Sequence, residues 1–162
     1  MSRKAFSVGV AALFGGRETS RTSETVHEVV TFRASPARVY RCLTTASEFD
    51  RVVRLSAAMR SMKRLGADPT RIDARPGGAF ALFGGYVTGR TIELVPNARI
   101  VQAWRSASWS PGIYSIVTFA LSSTRGGTRL VLHQAGFPDG DAASLARGWH
   151  ENYWEPLRTY LG

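Results

Sequence analysis

The chain has one cysteine, Cys42, and three histidines among its 162 residues. A single cysteine cannot close an internal disulfide framework, and no cysteine pair offers a thiolate metal cluster. His27, His133 and His150 fall on three separate predicted elements, without carboxylates at ligand spacing. Acidic residues are also scarce, with 12 Asp and Glu against 21 Lys and Arg and a net charge of +9. Glu93, Glu151 and Glu155 have no spacing that would make two of them converge on one cleft, as paired-carboxylate hydrolysis requires. HExxH, GxSxG, a phosphate loop ending in Gly-Lys-Ser/Thr and a dinucleotide fingerprint are all missing. We therefore assign no catalytic residue, no metal and no cofactor. The apolar run from Ala5 to Gly16 is too short to span a bilayer. The positive charge favours anionic surfaces in general, but helix-turn-helix, zinc-finger and stacking-aromatic RNA motifs are absent, so no specific nucleic-acid partner is expected.

What is present is a typical globular composition, 44% apolar, at a length that suits one domain with a real core. Residues 1–23 read as an N-terminal extension or an export signal. Ser2, Arg3, Lys4 and Phe6 resemble a twin-arginine signal with lysine in the second arginine place, although no small-x-small cleavage site follows. The expectation is a cytoplasmic protein with export as the alternative, and a folded domain over 24–162.

The last twenty or so residues dominate the pattern. At 3.6 residues per turn, Leu145, Trp149, Tyr153, Leu157 and Tyr160 share one side, and Arg147, Glu151, Glu155 and Arg158 share the other. This predicts a long amphipathic helix, capped by Asp141, stopped at Gly162 and kinked or broken at Pro156, which has no N–H for the carbonyl of Asn152. Upstream, ETVHEVVTFR reads as a strand with Val26, Val30 and Phe32 on one alternation and His27 on the other, and Ser35-Pro36 starts a helix through Leu43 to about Thr45. A second helix, capped by Ser47, would run to about Gly66 with Val52, Leu55, Met59, Met62 and Leu65 as its stripe. Arg54, Arg60, Lys63 and Arg64 make its other face a solvated surface, or in a sharper reading one for anionic membranes or acidic partners. After a turn at Ala67, Asp68 and Pro69, the chain to Phe137 reads as strands between glycine and proline turns. The predicted class is α+β, with helices on one face of a bent antiparallel sheet.

Three stretches together resemble a known superfamily: SPARVYRCLT, RPGGAFALFGGYVTGRTIELVPNARIVQAWR and GGTRLVLHQAGFPDGDAASLARGWHENYWEPLRTYL. The chain is similar, over about Glu24 to Leu161, to the SRPBCC superfamily, the START-like or birch-allergen-like helix-grip fold. More closely, it resembles the domain related to the C-terminal part of the activator of heat-shock protein 90 ATPase. Two positions depart from the pattern. Gln134 stands where the family often has histidine, with His133 one residue earlier and facing oppositely. The tryptophan common after the first helix is replaced by Phe49 or the Val52-Val53 pair.

The resemblance implies a curved sheet wrapped around the terminal helix with a cavity between them. We expect a closed cavity under Trp149, walled by Phe80, Phe83, Trp104, Tyr114, Phe119, Trp149 and Tyr153, with Gln102 and Gln134 available to orient a polar end. The leading functional expectation is binding of a small hydrophobic or amphipathic molecule. The alternatives are a chaperone-activator-type protein-interaction module and a polyketide cyclase/dehydratase-like enzyme.

Overall fold

The computed structural model describes residues 23–61 and 68–162. The export-signal reading, and the Met62, Lys63, Arg64 and Leu65 portion of the basic helix, lie outside the described residues.

Seven strands form one antiparallel sheet: β1 (Thr25–Phe32), β2 (Arg71–Ile72), β3 (Ala79–Leu82), β4 (Val87–Val95), β5 (Arg99–Ser106), β6 (Ser115–Thr124) and β7 (Gly127–Ala135), in the order β1-β7-β6-β5-β4-β3-β2. Four consecutive hairpins build the sheet from β3 to β7, and β1 closes it by pairing Val26 with Gln134 and Val30 with Leu130. Period-two alternation then selects the inner face: Val26, Val30 and Phe32 on β1, Ile100, Gln102 and Trp104 on β5, Val117 and Phe119 on β6, and Leu130, Leu132 and Gln134 on β7 are all buried. Two devices bend the sheet. Ile92 is an extra residue in β4, between Thr91 paired to Gln102 and Glu93 paired to Val101. Gly89 lies opposite Phe80, and a Cβ there would come within 2.4 Å of the Phe80 ring, so the strands close only because this position is bare.

The helices cover the concave face. α1 (Pro36–Thr44) starts as predicted, with Ser35 Oγ accepting from the Arg38 amide at 3.3 Å and Pro36 at the first turn. The single helix expected over residues 47–65 is instead two pieces, α2 (Ala46–Val53) and α3 (Ala57–Ser61). Thr45, not Ser47, occupies the N-cap of α2. A tight turn through Arg54 and Leu55 separates the pieces, leaving Leu55 exposed rather than on an inner stripe, while Val52 is buried. Helical periodicity continues across that turn in sequence, but α3 meets the C-terminal helix, where the Ala58 amide donates to Asn152 Oδ1 at 2.9 Å.

That C-terminal helix has three parts: α4 (Ala142–Trp149), a π-helical segment (His150–Trp154) and α5 (Glu155–Leu161). The break expected at Pro156 is taken up just before it. The Glu155 amide reaches back to the His150 carbonyl, one residue farther than in an α-helix. At α-helical pitch, Trp154 would lie about 140° around the axis from Trp149. The wider turn returns it to the inner side, where the two indoles stack with centroids 5.8 Å apart. Trp149, Tyr153, Trp154, Pro156 and Leu157 are consequently all buried. Asp141 precedes α4 but makes no side-chain cap bond, a departure explained by its other partner below. No helix among the described residues is long and apolar enough to cross a membrane.

Candidate functional site

Where β5 ends beneath α4 and the π segment, the interior opens into a cleft of about 250 Å³. Trp104 comes from the inner face of β5, Phe83 from the short turn after β3, Trp149 and Tyr153 from the C-terminal helix, and Trp109 from the loop after β5. These rings pack closely: Trp104 and Trp109 meet edge to face with centroids 5.5 Å apart, and Phe83 with Tyr153 at 5.6 Å and Trp149 with Tyr153 at 4.3 Å are tilted pairs. Phe83 holds its place with φ at +51°, a left-handed conformation that a bulky residue adopts only when its surroundings impose it. Gly148 lines the same cleft from α4, and a Cβ added there would meet nothing within 4 Å.

The predicted wall therefore divides. Phe83, Trp104, Trp149 and Tyr153 meet at the cleft. Phe80 and Phe119 are core residues, Phe80 against Gly89 and Phe119 edge-on to Trp149 at 5.6 Å. Gln102 is buried on β5 between Thr91 and Val117 of the neighbouring strands. Gln134 is buried with both ends of its amide engaged: the oxygen accepts from Trp149 Nε1 at 2.8 Å and the NH₂ donates to Ser115 Oγ at 2.9 Å. Tyr114 is a correction. It is 47% exposed, precedes β6, and sits beneath the Arg105 guanidinium at 5.7 Å, because Ser115 rather than Tyr114 begins the inward alternation. The expected closed cavity is also corrected. Trp104, Phe119 and Gln134 fill the space directly under Trp149, and what remains is a cleft at its side, open toward Tyr86, which is 40% exposed.

Sequence reasoning missed two aromatic residues and one pair of histidines. Trp109 donates to Asp141 Oδ2 at 2.8 Å, which is why that carboxylate does not cap α4. Trp154 donates to Glu28 on β1. Glu28 shares its alternation with Val26 and Val30, and an acid on an inward face was the signal that a buried donor would meet it. His27 and His133, expected on separate elements, are direct partners across β1 and β7 with ring centroids 6.4 Å apart on the outer face. Among the described residues no cluster of three metal-ligating side chains forms.

The electrostatics of the cleft are simple. Burial pushes the Tyr153 phenol well above its usual range, with the nearby Trp104 N–H dipole opposing that shift, so the hydroxyl stays protonated at any ordinary pH. Asp141 is the only ionisable carboxylate on the lining, and no lysine or arginine lines it.

A curved antiparallel sheet gripping a C-terminal helix, with an aromatic cleft between them, defines an SRPBCC-like helix-grip domain. The chain belongs to the family described as Activator of Hsp90 ATPase homolog 1-like protein, whose model matches residues 33–162. It is 28% identical over 132 residues to the human activator of 90 kDa heat shock protein ATPase homolog 1, covering 82% of this chain and 35% of that protein. An uncharacterized Schizosaccharomyces pombe protein is 36% identical over 94 residues, covering 58% of this chain and 28% of that one. The chain thus spans about a third of the length of the curated relatives it matches. Among solved structures, an HSP90 activator from Plasmodium falciparum superposes with a TM-score of 0.69 at 24% identity, covering 86% of this chain and 96% of that one, a likeness of fold.

Proposed function

We propose that this domain binds a small hydrophobic or amphipathic molecule in the cleft between β5 and the C-terminal helix. Gly148 is the observation that carries the reading. A glycine inside a helix costs about 1 kcal/mol relative to alanine, and close packing is the usual reason to accept that cost. Here no neighbour lies within 4 Å of the missing Cβ. Bare backbone facing an aromatic cleft leaves room for a group from outside the chain. Native mass spectrometry of protein isolated from its own host tests this: the wild type is expected to carry a small molecule. Gly148→Leu starts a side chain toward the cleft from a Cβ position with open space around it, and is expected to lose that molecule while melting no lower than wild type. Retention of the same molecule by Gly148→Leu would overturn the assignment.

A second reading, a protein-interaction module of the chaperone-activator type, is favoured by the 28% identity to the human activator. It requires an exposed surface rather than a cleft, so Gly148→Leu should leave any stimulation of a chaperone ATPase intact.

A further inference from the structure

Antiparallel pairing sets His27 of β1 directly opposite His133 of β7 on the outer face of the sheet, with ring centroids 6.4 Å apart and ring planes at 61°. Both side chains are exposed, and among the described residues neither imidazole has a hydrogen-bond or ionic partner. Opposed residues of neighbouring strands have Cβ atoms about 5 Å apart, so the two rings rise from adjacent points on a fixed pleat. Each neutral imidazole offers one ring nitrogen with a free lone pair. Two imidazoles on one tetrahedral ion, at metal–nitrogen distances of about 2.0 Å, have centroids about 5 Å apart, widening to about 6.4 Å when they face each other across it. The separation seen here is at the wide end of that range, and exposed side chains change rotamer within nanoseconds. The backbone has therefore already brought two ligands within reach of one ion.

The neighbourhood decides which ion. On that face Thr25 and Val29 flank His27, Val131 and Ala135 flank His133, and Thr118 stands opposite His133 on β6. None of these five carries a carboxylate, so the pair lacks the oxygen donors on which magnesium and calcium depend. None carries a positive charge that would repel a cation. Imidazole nitrogen suits zinc, copper and nickel, with water able to complete the coordination of zinc. The remaining histidine, His150, has Glu155 at 3.7 Å on the C-terminal helix and is the rival ligand to exclude. Position gives a bound ion a structural consequence. β1 lies at the edge of the sheet, and β7 is its one strand partner among the described residues. An ion shared by His27 and His133 ties that edge to the interior of the sheet.

We propose that His27 and His133 form a chelating site for a transition-metal dication of the zinc and copper class. Titration calorimetry of the full chain with zinc chloride is expected to give one ion per chain, and magnesium chloride to give no binding. His27→Ala and His133→Ala should each weaken zinc about a hundredfold, the gain from holding a second ligand on the same scaffold. The double variant should bind no more than about twofold more weakly than either single one, because a chelate is already lost with its first member. His150→Ala should bind as wild type does. An ion that needs both strands in place stabilises the folded chain, so zinc should raise the melting temperature of wild type and slow amide exchange along β1. It should do neither in the two single variants.

Both histidines are exposed, so their alanine variants should melt as wild type does when zinc is absent. A loss of less than about tenfold in either single variant would overturn the pair, because isolated surface imidazoles would then account for the binding. Loss of binding in His150→Ala would move the site to the helix and refute the assignment. Magnesium binding as tight as zinc would overturn the ion class, and a wild type that takes up no zinc would end the proposal outright.

Discussion

Individual side chains hold the concave side together through a few shared acceptors. Glu48 is the clearest. One oxygen of its carboxylate accepts from Arg38 at 2.7 Å and from the Tyr160 hydroxyl at 2.8 Å, joining α1, α2 and α5 at one point. The Arg38 hydrogen bond, seconded by that of Tyr160, holds the Glu48 carboxyl below its ordinary range. A carboxyl with a lowered folded pKa stabilises the fold fully above the unfolded carboxylate range, and loses that contribution as pH falls through the folded value. Thermal melts of wild type and Glu48→Gln should therefore differ most near neutrality and converge as the pH is lowered below the usual glutamate range. A gap that widened on acidification would refute the assignment. The pair is partly exposed, so the difference should be modest.

At the scale of elements, the π segment does two jobs. It rotates Trp154 inward, as geometry requires if Pro156 is to follow without a clash with the preceding turn. It also presents Asn152, whose Oδ1 accepts from the Ala58 amide at 2.9 Å and so caps α3, a helix of only five residues beside the cleft. So short a helix has little stability of its own. Asn152→Ala is expected to cost about 1 kcal/mol, the usual worth of an N-terminal cap. Amide exchange should quicken in α3 and remain slow in β5, β6 and β7. Unchanged exchange at Ala58 would show that packing alone holds α3.

The whole molecule depends on contacts between its two ends. Trp154 reaches Glu28 on β1, and Glu24 Oε2 accepts from the Gly140 amide at 2.8 Å. The centre of the core is filled from the last thirteen residues, with Tyr153, Trp154, Pro156 and Leu157 all buried. Emptying one large core site costs about 3–5 kcal/mol, and a domain has about 5–15 in total. A chain ending at Trp149 should therefore lose its near-ultraviolet dichroism and bind hydrophobic dye at room temperature. A cooperative melt in that truncated chain would show that the sheet is stable without its helix.

Much of this was legible in the sequence because it follows from periodicity and turn chemistry. Alternation grouped Val26, Val30 and Phe32 on one face, which the fold turns inward, Ser35-Pro36 opened α1, and Trp149, Tyr153 and Leu157 marked the buried side of the last helix. Those are local properties, and the pleat or the helical pitch alone determines them. Tertiary structure decided the rest. Asp141 looked like a cap and became the acceptor for Trp109, 32 residues earlier in the chain. Tyr114 looked like wall and lies outside. Trp154 falls on neither side of the predicted stripe, and an extra residue in the turn brings it inward. Each outcome depends on which distant groups converge, and a period describes one element without saying what stands opposite it. For the same reason the sequence by itself determined the helix-grip domain and its aromatic inner helix. Only the folded chain decided that Trp109, Trp149 and Trp154 find their acceptors at Asp141, Gln134 and Glu28, residues remote in sequence.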